Sequence, residues 1–308
     1  MQLIDPLSQL IESLAPTTEV FARVTAHAPW GVSEPRQDVC AFTYVLDGPC
    51  FLRVDDHLQQ QLTPGQLLLL PRGAAHSVAS GPDAECQDVD ALFGGKSRAE
   101  VEQMVLGGDG EQSHILCGYI RFMPLHRHLP NLLTDSLPEV LILDAPATCR
   151  LGQLLQWIYA ENADYRAGQS LMLEKMLQML LLEIIRTLDT LPLNPGVLNA
   201  VNDRHLAPAM QAIMKDLCRP WHLDQLAGIA ALSRSAFTSR FKKLTGLSCQ
   251  AFIRHWRCQQ AAQLLKLSDQ PVASIGLKCG FQSSDVFIRN FRSFCGMTPN
   301  QFRYAANT

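Results

Sequence analysis

Basic and aromatic side chains recur in step in two stretches of this 308-residue chain, AFTSRFKKLTG at 236–246 and VFIRNFRSFCG at 286–296. Phe237, Phe241, Leu244 and Gly246 match Phe287, Phe291, Phe294 and Gly296, each at an offset of 50. Phenylalanines at i and i+4 share one helix face and turn it inward, which leaves Lys242, Lys243 and Arg292 outside. Their chemistry is charge neutralisation. From residue 196 onward the chain carries 14 Lys and Arg against five Asp and no Glu, a balance of +9, so phosphate is the natural counterpart. The total of −3 then leaves −12 for residues 1–195. A basic third beside an acidic remainder is expected when one domain touches a polyanion and the other does not.

The elements that must position these side chains are legible around them. Leu223, Leu226, Ala227, Ala230 and Ala231 predict a short helix with small residues on its packing face, and Ser233 or Ser235 caps the next, a helix-turn-helix. Val272, Ile275 and Gly276, a turn at Gly280 and Phe281, a cap at Ser283 or Ser284 and a helix through Arg292 repeat it. The connector SCQAFIRHWRCQQAAQLLKLS, 248–268, predicts a helix ~30 Å long. That is close to the ~34 Å between successive major-groove faces of B-DNA. One polypeptide could then read two adjacent grooves of double-stranded DNA.

Residues 17–90 carry a different signature. VCAFTYVL, CFLRV and QLLLLP, separated by turn signals such as Asp47-Gly48-Pro49 and Thr63-Pro64-Gly65, predict a β-sandwich or barrel, with a further strand at 114–122. Helices are expected at 148–161 and 169–189. The second, QSLMLEKMLQMLLLEIIRTL, is so apolar that it either packs within its own domain or forms a subunit contact. LPLNPG at 191–196 reads as a linker. No apolar run reaches the ~18 residues of a membrane span, and the N-terminus lacks the basic start of a signal peptide, so no membrane association and a cytoplasmic location are expected. Ten scattered cysteines without a CxxC pair are expected to be reduced thiols.

GQLLLLPRGAAHSVAS at 65–80 fits G-x5-P-x-G-x2-H through His76, with Ser80 where many cupins carry Asn, and so resembles the second cupin motif. Metal-binding cupins supply two further His and a Glu from an earlier strand, and EPRQDVCAFTYVLDG contains no His. One His cannot hold a catalytic metal, so no metal, cofactor or catalytic residue is expected. The alternatives are a cupin enzyme, isomerase or oxygenase, with an accessory DNA-binding domain, or an effector-independent architectural DNA binder.

Arg257, Ala261, Leu264, Leu265, Ile275, Gly280, Phe281, Phe287, Phe291, Gly296, Thr298, Pro299, Phe302 and Arg303 form a pattern that resembles the AraC/XylS family of transcription regulators over roughly 205–305. APWGV at 28–32, LPRGAAH, LCGYIRF at 116–122 and SLPEVLIL at 136–143 resemble the cupin sensor domain of one branch of that family, which includes a regulator responding to reactive chlorine. The resemblance implies an α+β fold of two domains: a cupin-like barrel with helices at 1–190, a linker at 191–200 and an all-α double helix-turn-helix at 201–308. It implies double-stranded DNA and RNA polymerase as partners, with a homodimer as a further expectation. It also implies base-edge contacts from Ser235, Ala236, Thr238, Ser239 and Arg240 in the first recognition helix, and from Ser284, Asp285, Val286, Arg289 and Asn290 in the second. Arg289 leads that set, because a guanidinium grips guanine O6 and N7 bidentately. Lys242, Lys243 and Arg292 are expected on phosphates.

The input has three candidates. Trp30, Phe42, Tyr44, Phe51 and His76 could line a barrel cavity for a small organic effector, or simply fill the barrel. Among the N-terminal cysteines, Cys86 in an acidic loop and Cys117 near Arg121, His126 and His128 are the candidates for an oxidant-sensing pair, with Cys117 attacking and the C-terminal cysteines bystanders. His114, Cys117, His126 and His128 offer zinc-compatible side chains, although H-x2-C-x8-H-x-H is not a familiar zinc spacing.

Overall fold

The computed structural model describes residues 5–14, 16–55, 58–96, 100–101, 104–121, 131–163, 166–188, 191 and 193–306. Two compact units emerge. One joins Thr17–Arg121 to Pro138–Thr190; the other joins Met1–Pro16 and Phe122–Leu137 to Leu191–Thr308. This differs from a contiguous boundary at 190. Helix α1 (Pro6–Leu14) seals Leu10 completely and packs with helix α6 (Leu206–Lys215), so the chain start belongs to the helical unit.

In the first unit, β1 (Thr17–His27), β3 (Cys40–Asp47), β6 (Gln66–Leu70), β9 (Val105–Gly107), β10 (Gln112–Arg121) and β11 (Leu141–Asp144) form a six-stranded sheet in the order β11-β6-β3-β10-β1-β9. A five-stranded sheet runs β5-β4-β7-β2-β8, from β2 (Gly31–Glu34), β4 (Cys50–Val54), β5 (Leu58–Leu62), β7 (His76–Ala79) and β8 (Gln87–Asp88). Helix α2 (Val89–Phe93) follows β8, capped by the Asp88 carboxylate. Alternation decides what faces the core: in β4, Cys50, Leu52 and Val54 are buried while Phe51 and Arg53 are half-exposed. Val24, Ala41, Val45, Leu52, Leu68, Val78 and Ile115 share one apolar cluster between the sheets. Strand β3 is buried on both faces.

Helices α3 (Arg150–Glu161) and α4 (Gln169–Leu188) follow in the same unit, packed on each other and, through α4, on β1. Leu173, Met176, Leu177, Leu180, Leu181, Ile184 and Ile185 are all buried in α4. This assigns most of the apolar run to the unit's own core. Leu171, Met172 and Met179, with Trp157 on α3, are what the fold leaves exposed.

The second unit continues through α5 (Val197–Val201), α6, α7 (Leu223–Ile229), α8 (Arg234–Thr245), α9 (Cys249–Leu267), α10 (Val272–Lys278), α11 (Ser284–Cys295) and α12 (Pro299–Ala306). Ser233, Ser248 and Ser283 cap α8, α9 and α11, each hydroxyl accepting from a backbone N–H three residues on. Gly246 and Gly296 end α8 and α11 in left-handed conformation, at φ +74° and +77°.

Candidate nucleic-acid interface and sensor cavity

Each recognition helix is set by a buried phenylalanine pair. Phe237 and Phe241 have ring centroids 5.6 Å apart, and Phe241 continues edge-on to Phe252 of the connector α9. Phe287 and Phe291 lie 5.5 Å apart, and Phe291 meets Phe302 of α12. All six rings are completely buried. The two motifs are not strict copies. Helices α8 and α11 are offset by 50, but α7 and α10 by 49, so the second turn is one residue longer, at Gln282. Before the insertion the turns match: Leu232 N–H donates to Ala227 and Phe281 N–H to Gly276, while Ala231 and Gly280 take φ +52° and +82°. A Cβ on Gly280 would meet the Leu217 carbonyl oxygen at 2.2 Å, which restricts that position to glycine.

With the phenylalanines inward, Ser235, Ala236, Thr238, Ser239, Lys242 and Lys243 of α8 are exposed, as are Asp285, Arg289 and Arg292 of α11. Ser284 and Asn290 are half-buried, with the Asn290 amide donating to the Val286 carbonyl at 2.7 Å. Val286 leans on the core of the second motif rather than standing free. Arg240 is a correction. Its Nε donates to Asp203 at 2.9 Å and its terminal nitrogen binds the other carboxylate oxygen, so the guanidinium staples α8 to the turn before α6 and is not offered to base edges. That pairing holds Asp203 below the usual carboxylate range. Arg257 is likewise committed: burial opposes its charge, and it donates to the Leu217 and Arg219 carbonyls at 2.8 and 3.0 Å.

A side chain the sequence reading passed over is Arg254. It is exposed on the connector and shares a groove with Gln282, Val286 and Asn290. Its position inside the connector helix carries no local signal for this placement.

The barrel encloses a cavity of about 40 Å³ lined by Trp30, Glu34, Phe42, Thr43, His76, Cys117 and Tyr119 among apolar walls. Trp30, Phe42 and His76 therefore sit where they were expected. Phe51 does not, because β4 alternation turns it outward, and Tyr44 does not, because its hydroxyl donates to the Ala145 carbonyl at 3.1 Å. Glu34 stands directly opposite His76 in the β2–β7 register. His76 Nδ1 lies 3.0 Å from the Ala74 carbonyl, which it can only approach as donor, and Nε2 lies 4.0 Å from the Glu34 carboxylate. Burial lowers the His76 pKa and raises that of Glu34, with the Tyr119 hydroxyl donating to Glu34 in partial compensation. Ser80 does not reach the cavity chemistry itself; it receives the Trp30 backbone N–H at 3.1 Å and so fixes Trp30 at the barrel rim.

Cys117 faces this cavity beside Thr43, and burial pushes its thiol up to about 12. The electropositive setting expected for an attacking thiol is absent from its described surroundings, since its other charged neighbour is Glu34. Cys86 lies elsewhere, on the outer edge against Gly31, with Sγ 3.7 Å from the Ala84 carbonyl. All ten cysteines are free. His126 and His128 lie outside the described residues. His114 pairs with Asp47 at 2.7 Å, three residues and thus one sheet face away from Cys117. Among the described residues no three metal-ligating side chains converge, and no helix is long and apolar enough to cross a membrane.

A cupin barrel and a tandem helix-turn-helix on one chain are the parts of a DNA-binding transcription regulator. Residues 5–188 match the Cupin family and residues 226–305 the Helix-turn-helix domain family. The chain is 28% identical to an uncharacterized HTH-type transcriptional regulator of Haemophilus influenzae over 98% of both chains. It is 30% identical to the MmsAB operon regulatory protein of Pseudomonas aeruginosa, over 88% of this chain and 77% of that one. It is 22% identical to the RCS-specific transcriptional activator RclR of Escherichia coli over 97% of each. The chain belongs to the AraC family of transcriptional regulators with an N-terminal cupin domain, and its helix-turn-helix domain binds double-stranded DNA.

Proposed function

We propose that this protein is a non-enzymatic, cytoplasmic regulator that reads two short operator boxes with α8 and α11 and adjusts its grip when a small molecule enters the barrel cavity. The observation that carries the reading is the pair of phenylalanine-anchored helices with exposed polar and basic faces on the basic unit. Arg289 is the principal base reader; Ser235, Ala236, Thr238 and Ser239, with Ser284, Asp285 and Asn290, supply shape and weaker contacts. Lys242, Lys243, Arg292 and Arg254 hold phosphates. The 19-residue connector spans about 28 Å, near one helical turn of DNA. RNA polymerase is the downstream partner, and a homodimer forms through the exposed Trp157, Leu171, Met172 and Met179 of the α3–α4 hairpin.

Operator titration of the full-length protein tests the base readout. Arg289→Ala should cost about 1–3 kcal/mol on the cognate site and relax selectivity at one base pair. Lys243→Ala should weaken cognate and random DNA alike and reduce the salt slope by about one unit. Equal losses on both DNAs for Arg289→Ala would assign it to phosphate instead.

In native protein at pH 7.5, an alkylating reagent followed by peptide mass mapping should label exposed Cys218 well before Cys117, whose thiol burial keeps protonated. Cys117→Ser should leave the DNA-binding response to oxidant unchanged. Fast labelling of Cys117 would restore it as a sensor.

A further inference from the structure

We infer that the barrel cavity takes a short primary ammonium compound carrying a neutral oxygen acceptor, an inference that rests on the reading of this cavity as the effector site. Size sets the first limit. A cavity of about 40 Å³ holds roughly three waters, so the occupant has only a few heavy atoms. Charge sets the second. Glu34, with 14% of its side chain exposed, faces His76, Tyr119, Asp90 and Cys117, none of them a cation: Asp90 adds negative charge, and His76, donating from Nδ1 to Ala74, presents an unprotonated Nε2. The Arg121 guanidinium lies over the Tyr119 ring, and no described cation pairs with the Glu34 carboxylate.

Two acceptors thus stand 4.0 Å apart, and the Tyr119 hydroxyl that donates to the carboxylate brings no positive charge. A single ammonium nitrogen at ~2.8 Å from each would bridge them at an angle of about 90°, within reach of its tetrahedral N–H directions. The same nitrogen would supply the largely enclosed carboxylate with a counter-charge. Trp30 adds an independent requirement. It lines the cavity, is 4% exposed, and its indole Nε1 is buried without a hydrogen-bond partner. An orphaned indole N–H asks for an acceptor, which an ether, hydroxyl or carbonyl oxygen on the ligand's short chain provides. Val24, Val78, Val89 and Ile115 accommodate the carbons.

Isothermal titration of the full-length protein with four near-isosteric probes tests this. 2-Methoxyethylamine should bind about tenfold or more tighter than 2-methoxyethanol, which lacks the charge, and tighter than butylamine, which lacks the acceptor; methoxyacetate, with the charge reversed, should not bind. Glu34→Gln should abolish the preference for amine over alcohol. Trp30→Phe keeps the ring and loses the N–H, so it should erase the advantage of 2-methoxyethylamine over butylamine, and it serves where Glu34→Gln fails to fold. If 2-methoxyethanol binds as tightly as the amine, or Glu34→Gln keeps the amine preference, the ligand class is wrong while the cavity remains the effector site. No binding of 2-methoxyethylamine overturns the inference outright. Filling the cavity with Ile115→Trp then separates the two readings: a small-metabolite extract that still shifts operator affinity of that variant shows that the effector binds elsewhere.

Discussion

Phe291→Ala should melt the second helix-turn-helix and erase one of the two protected boxes in an operator footprint. The ring is completely buried, 5.5 Å from the rings of both Phe287 and Phe302, so it joins α11 to α12. Removing a buried phenylalanine costs about 3–5 kcal/mol, comparable with the whole stability of a small helical subdomain. The first motif rests on a separate stack, Phe237–Phe241–Phe252–Trp256. Its box should therefore stay protected, though at lower total affinity. Phe241→Ala should give the mirror image. Footprints in which either change removes both boxes together would show that the motifs fold as one unit through α9.

How much of this could be read beforehand depends on whether a position answers to local or to distant chemistry. Helix periodicity, serine caps and glycine ends are local, and they place the starts of α8, α9 and α11 within a residue or two, while α11 runs three residues past Arg292 to Cys295. The offset of 50 was visible, but the extra residue at Gln282 was not, because the first helices of the motifs carry few side chains distinctive enough to fix their register. In the barrel, the cupin motif located His76, yet an aromatic tally carries neither strand phase nor distant partners: Phe51 stands on the outer face of β4, and the Tyr44 hydroxyl is drawn to the Ala145 carbonyl. Glu34 was overlooked because a strand glutamate ordinarily points to water. Only the pairing of β2 with β7 sets it against His76. Arg240 failed for the same kind of reason, since its partner Asp203 is 37 residues away and no spacing rule connects them.

Leu177→Glu should leave the sheet-containing unit unfolded, whereas Met179→Glu should leave it folded and monomeric. The two residues are neighbours on α4 but point to nearly opposite sides of the helix, Leu177 at 2% exposure in the core and Met179 at 50%. Deleting the buried leucine costs about 2–5 kcal/mol, and placing an unpaired carboxylate in its space adds several more, so that together they match the typical margin of about 5–15 kcal/mol for a domain. Loss of the near-unfolded-state gap should appear as a missing cooperative melt. Met179→Glu sits in solvent, so its effect on stability should be within about 0.5 kcal/mol. Its effect on assembly should be large, because a charge in an apolar stripe with Leu171, Met172 and Trp157 opposes burial against a second copy. Sedimentation velocity on both variants decides it. A dimeric Met179→Glu protein would remove this stripe as the subunit contact, and a folded, monomeric Leu177→Glu protein would show that α4 turns its buried face outward in solution.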